Sequence, residues 1–244
     1  MFDLCSIIDR AKDWFGGQRI YSPSKTKEVP IKEFEPELSY PPAAQSRKMI
    51  TQGKYRYGFP EGAVIHFNAG RDDPKQFLDY MRDMKYVTFL IDRQGHVWQD
   101  FPLNEWGYHA GKSNWKGDVK EYTGTVHDSF VGIELLSAGV LKPTPCGSYK
   151  TWFNTIVPSN EIRVRDGRYF HKFTVEQEKQ LEKLLLWLEL TGEGIFGFGN
   201  VVGHHEVSPG RKQDPGGSLR FTMPDYRAHL KELKKRKKEG LDVC

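Results

Sequence analysis

The sequence predicts an α/β layer protein, and three observations carry that reading. Short apolar runs of strand character recur along the chain, at Ala63–Phe67, Val87–Asp92, Phe130–Leu136 and Asn200–His204. A capped helix with leucines on one side lies between the last two. Strands interleaved with helical segments favour helices layered on a sheet.

The first 50 residues hold no core element. Their opening, MFDLCSIIDRAKDWFGG, allows a short amphipathic helix around Leu4–Phe15. Residues 21–46 (YSPSKTKEVPIKEFEPELSYPPAAQS) then mix prolines and charges without periodicity, as an extended connector does. AVIHF at 63–67 suits a buried strand, and VTFLID at 87–92 is a second. Arg93-Gln94-Gly95 turns the latter into HVWQDF, which makes a hairpin. In FVGIELL, Val131, Ile133 and Leu135 share one face and Glu134 takes the other, so a carboxylate sits among apolar neighbours. Thr174-Val-Glu-Gln fits a capping box, Leu181, Leu184, Leu185 and Leu188 then fall on one helical face, and Gly192 ends the helix. NVVGH at 200–204 is a last short strand. The expected organisation is an extension over 1–50, one domain over 51–230 and a basic tail over 231–244.

With 244 residues and 38% hydrophobic content the chain can bury a substantial core. No apolar run approaches the roughly 18 residues that a membrane span needs. The amino terminus lacks the basic region of a secretory signal, and Asp9 and Arg10 break its apolar stretch, so a cytoplasmic location is expected. Cys5, Cys146 and Cys244 are odd in number and far apart, which points to free thiols. The net charge of +4 is concentrated in RAHLKELKKRKKE at 227–239, with seven basic residues against two acidic ones. That run reads either as a solvated helix end or as a contact with an anionic envelope. Without interleaved aromatics it gives no support to nucleic-acid binding.

The chemistry gathers in GHHEVSPGRKQDPG at 203–216. His66 and His204 each follow an apolar strand, and Asp214 lies ten residues beyond His204 in a loop whose prolines and glycines let it fold back. Imidazole and carboxylate are zinc donors, and a catalytic site uses three of them while keeping a fourth position open. Spacing alone leaves both a metal site and two satisfied structural histidines open.

Five motifs in order now bear on the choice: IHFNAG at 65–70, FLIDRQGHVWQ at 89–99, WGYHAGKSNWKG at 106–117, SFVGIELLSAG at 129–139 and GHxxxxPGRKxDPG at 203–216. Together they resemble the type-2 N-acetylmuramoyl-L-alanine amidases, the superfamily that includes the peptidoglycan recognition proteins, and most nearly the branch of AmpD and AmiD. The resemblance covers roughly residues 55–230. It implies a mixed central β-sheet flanked by helices, with Zn2+ held by His66, His204 and Asp214, and cleavage of the amide between N-acetylmuramic acid and L-alanine in peptidoglycan. His205 falls where the family varies and is not carried over as a ligand.

The same resemblance implies Glu134 as general base and Lys212 as the cation facing the oxyanion. Asn68, Trp106, His109, Ala110 and Gly111 would bind substrate, the last four lining its groove. In short phage amidases of the superfamily a tyrosine stands two residues before the hairpin-strand phenylalanine, but here Val87 holds that place. Tyr86 is one residue off, and strand alternation would turn it to the opposite face. The resemblance further implies a peptidoglycan or muropeptide partner, and nothing in the sequence argues against a monomer. The enzyme's setting would be a phage endolysin or a cytoplasmic muropeptide-recycling amidase, and a recognition module that binds without cutting is the rival from another class. Segment 138–173 is expected as a loop that shapes the groove.

Overall fold

The computed structural model describes residues 38–39, 52–100, 102–192 and 194–239. The proposed N-terminal helix and most of the connector lie outside these residues, as do Cys5 and Cys244. Along the chain run strands β1 (Leu38–Ser39), β2 (Gly53–Lys54) and β3 (Gly62–Phe67), then helix α1 (Pro74–Met84). Next come β4 (Phe89–Ile91), β5 (Val97–Gln99), β6 (Glu105–Trp106), β7 (Trp115–Lys116), β8 (Glu121–Tyr122) and β9 (Phe130–Leu135). They are followed by β10 (Val140–Pro143), β11 (Tyr149–Lys150), β12 (Ile156–Val157), β13 (Ile162–Arg165) and β14 (Arg168–His171). The chain continues with α2 (Val175–Thr191), β15 (Val201–Gly203), the short α3 (His204–Val207) and α4 (Met223–Lys238).

The central sheet has the order β1-β5-β4-β9-β3-β15. It is mixed: β4, β9, β3 and β15 are mutually parallel, whereas β5 folds back antiparallel on β4 as the RQG turn predicts. Parallel strands buried on both faces read as continuous apolar runs, and every residue of β9 is buried. The sheet is therefore the mixed α/β layer that the sequence predicts.

α2 keeps its expected bounds. Thr174 and Gln177 form the reciprocal capping box, and Leu181, Leu184, Leu185 and Leu188 are fully buried. Gln177 does more than cap. Its side-chain amide donates to the carbonyls of Ile91 and Leu136 at 3.1 and 3.0 Å, which stitches the helix start to β4 and to the end of β9. α1 buries Leu78 and Met81 against Val87, Leu90 and Leu136. Across the sheet, Val64, Phe130 and Val202 pack with Ala110, Val126 and Val207.

Two expectations change. Segment 138–173 is not a loop but a five-stranded antiparallel sheet of order β12-β11-β10-β14-β13. Residues 231–238 are not a separate tail, because they continue α4, whose Tyr226, Leu230 and Leu233 are buried. No helix among the described residues is long and apolar enough to cross a membrane.

Candidate active site

Three strand ends and one loop bring the predicted residues together. His66 is next to last in β3 and pairs in parallel register with Glu134 of β9, so the two side chains rise from the same face of neighbouring strands. β15 ends at Gly203 beside β3, and the chain turns at once into α3, placing His204 at a helix start rather than in the strand. His205 secures the returning loop: its backbone N–H and ring Nδ1 both donate to the Asp214 carbonyl, at 2.9 and 3.0 Å. Gly203 makes room for that ring, since a Cβ there would lie 2.6 Å from it.

The result is a buried cluster in which one ligand atom each of His66, His204 and Asp214 lies within 4.8 Å of the others. Nδ1 of His66 stands 2.8 Å and Nδ1 of His204 2.9 Å from the same oxygen, Oδ2 of Asp214. The histidine rings meet edge to face with centroids 4.5 Å apart. Burial, and then repulsion from His204, lowers the His66 pKa to about 4, so this imidazole is neutral at pH 7. Burial alone would raise the Asp214 carboxyl, but the facing imidazoles hold it well below the carboxylate range. A carboxylate and two imidazoles on one point are the donor set of a divalent cation such as zinc.

Glu134 is buried beside this cluster, and its Oε2 has no protein partner. Burial, reinforced by the negative charge of Asp214, pushes its carboxyl well above the usual range, while Lys212 and a hydrogen bond from Tyr86 pull the other way. A carboxyl whose proton affinity is raised in this way is suited to accepting a proton and passing it on. Glu134, Lys212, Asp214 and Asn68 share the wall of an open cavity of about 670 Å3, together with Tyr86 and Trp152. Asn68 is held by accepting from the Ser137 backbone at 2.9 Å.

The placement of Tyr86 corrects the alternation argument. Tyr86 precedes β4 and follows Lys85, whose φ of 50° is left-handed, so strand alternation does not govern it. Its hydroxyl hydrogen-bonds the Glu134 carboxyl, and burial followed by the Glu134 charge pushes the phenol up, keeping it protonated.

A second correction concerns WGYHAG. His109 and Ala110 are 3% and 0% exposed and lie behind the ligands, so neither lines a groove. Nδ1 of His109 is 3.1 Å from Nε2 of His66, and the Ala110 carbonyl is 3.1 Å from Nε2 of His204. Gly111 is exposed next to Arg211, and half-buried Trp106 stacks on His127; neither is on the cavity wall. Aromatic lining comes instead from Phe77 and Tyr80 of α1, from Tyr86 just after it, and from Trp152 in the turn between β11 and β12.

Comparisons with known proteins agree with this geometry. A family profile described as N-acetylmuramoyl-L-alanine amidase matches residues 56–217. The chain is 29% identical over 161 residues to the 1,6-anhydro-N-acetylmuramyl-L-alanine amidase AmpD of Haemophilus influenzae, covering 65% of this chain and 68% of AmpD. It is 25% identical over 162 residues to the N-acetylmuramoyl-L-alanine amidase AmiD of Escherichia coli, covering 63% of this chain but only 48% of AmiD. The solved complex of that AmiD with anhydro-N-acetylmuramic acid-L-Ala-D-gamma-Glu-L-Lys aligns with a TM-score of 0.50 and 25% identity, over 75% of this chain and 61% of the other. A cation-ready triad under a glutamate-walled cavity, on a sheet of this order, thus coincides with a profile spanning most of the chain, and the protein belongs to the N-acetylmuramoyl-L-alanine amidase family of enzymes.

Proposed function

We propose that the chain is a zinc amidase that hydrolyses the bond between the lactyl carbonyl of N-acetylmuramic acid and the amino group of L-alanine. The observation that carries this reading is the convergence of His66, His204 and Asp214 on one point, with the unpartnered Glu134 oxygen beside them. The three residues would hold the ion. A bound zinc supplies Lewis acidity, polarising the amide carbonyl and easing deprotonation of water.

The remaining steps belong to the protein. Glu134 takes a proton as water adds to the carbonyl carbon, then delivers it to the alanine nitrogen as the C–N bond breaks, leaving a lactyl carboxylate and a free amine. The Lys212 ammonium faces the oxygen that becomes negative, a role worth roughly 3–4 kcal/mol in related oxyanion sites. Tyr86, kept protonated, donates to the Glu134 carboxyl and aims it into the cavity. Asn68 and Trp152 on the wall supply polar and aromatic contacts to the amphipathic muropeptide.

Digestion of purified sacculi and of soluble anhydro-muropeptide by zinc-loaded wild type and His204→Ala, with products resolved by mass spectrometry, tests the reading. Stem peptides beginning with free L-alanine are expected from wild type and not from the variant or after chelation. Cleavage of the soluble substrate alone assigns recycling; cleavage of sacculi assigns wall lysis. Zinc uptake with no cleavage of either substrate would leave a recognition module.

A further inference from the structure

His109 is a buried imidazole with no place on the cavity wall, and it follows from the hydrogen-bond directions around it what it does there. We propose that the turn His109–Ala110 fixes the ring tautomer of both histidine ligands, with His109 a positioning residue that acts through His66. This rests on the metal reading above.

The reasoning starts from the Phe130 carbonyl, which only accepts. It is 2.9 Å from Nε2 of His109, so that nitrogen carries the hydrogen. A neutral imidazole has one N–H, which makes Nδ1 of His109 a lone pair. That lone pair lies 3.1 Å from Nε2 of His66, which must be the donor. Nδ1 of His66 is then bare, and it is the atom that points at Asp214. On the other side the Ala110 carbonyl, again only an acceptor, places the hydrogen of His204 on Nε2 and leaves its Nδ1 bare towards the same Asp214 oxygen.

Two consecutive residues thus aim two lone pairs at one carboxylate oxygen. With a cation between them, these three atoms become its ligands. Partners that orient a ligating imidazole in this way raise metal affinity. The fold also reserves the space. His109 lies over Gly132 of β9, where a Cβ would come within 2.7 Å of the ring's Cγ, and its ring meets His66 edge to face at 82°.

The test uses the full chain with three variants of position 109 in effect: wild type, His109→Phe, which keeps a ring without nitrogens, and His109→Gln, whose amide restores one acceptor and one donor. Zinc affinity is measured by competition with a chromophoric chelator, and the histidine tautomers by long-range 1H–15N spectra of the zinc-loaded protein. Wild type is expected to show Nε2–H on both His66 and His204. His109→Phe is expected to bind zinc about 10- to 100-fold more weakly, with His109→Gln recovering most of the loss. An Nδ1–H on His66 in wild type overturns the inference, as does unchanged affinity in folded His109→Phe or a Gln variant as weak as the Phe variant. Should His109→Phe fail to fold, the wild-type spectrum and the Gln variant still decide. A wild type that binds no zinc overturns the metal reading itself.

Discussion

Glu134 has the most demanding position of any side chain in the site, since it is 2% exposed, next to an ionised Asp214, and leaves one oxygen unpartnered. Its only assigned work is proton transfer, so Glu134→Gln is expected to cut turnover by about 10^2- to 10^4-fold. Because the amide keeps the carboxyl's shape and Glu134 is not among the converging ligands, zinc affinity measured by chelator competition should be unchanged. Equal loss of zinc and activity would make Glu134 a ligand instead. At this scale spacing left the histidines ambiguous and the family resemblance singled out His66, His204, Asp214 and Glu134, which the fold brings together. The sequence misled where local geometry decides. Tyr86 was assigned to the wrong face by applying strand alternation one turn before the strand begins, and His109 was read as a groove residue although nothing in WGYHAG marks which way its ring points.

Among the elements, the inserted sheet has the least expected task. Arg165 of β13 donates to the carbonyls of Gly216, Phe221 and Arg220 at 2.7–2.9 Å, and Arg163 donates to Gly217 and Ser218. Phe170 of β14 covers Gly216 and Gly217, which have no room for a Cβ. The insert therefore clamps the segment directly after Asp214. Arg165→Ala, which strands three carbonyls, is expected to lower the unfolding free energy in urea by about 1–3 kcal/mol and to weaken zinc binding. A variant with lowered stability and unchanged zinc affinity would show that the clamp does not reach Asp214. This element was legible in part. IRVRDGRYFH carries an Asp-Gly pair between alternating residues, the signal for a two-residue hairpin, and both Asp166 and Gly167 take the positive φ that turn requires. Likewise Asp73-Pro74, a cap followed by proline at the helix start, announces α1, and Asp73 accepts from Gln76 as such a cap should. Neither β10–β12 nor their pairing order can be read this way, because strands of two to four residues are set by contacts made elsewhere in the fold.

For the molecule as a whole, charge proved a poor guide to boundaries. The tail expected over 231–244 begins inside α4, where Tyr226, Leu230 and Leu233 keep helical spacing and stay buried and Lys234 pairs with Glu189 of α2, in keeping with the helix-end reading of the basic run at 227–239. A chain ending after Glu239 keeps the whole of α4 and serves as the reference for truncation. One ending after His229 loses two core leucines, each worth about 2–5 kcal/mol, and should be expressed unfolded or with a strongly lowered Tm. Equal Tm for the two truncations would restore the tail as a separate feature. The overall α/β order was legible because four buried strands and one capped helix announce themselves locally, whereas the order of strands in the sheet depends on long-range pairing.

His66 and Asp214 are 148 residues apart in sequence, and the groups that aim them, His109 and His205, come from two further positions in the chain. No stretch of the unfolded chain holds this arrangement, so an ion bound there recognises only completed tertiary structure. Zinc at 100 times its dissociation constant would then add about 2.7 kcal/mol to the folding equilibrium. A cation bound there would act as a ligature across most of the domain, and newly made chains would be sorted into folded and unfolded by the metal they retain.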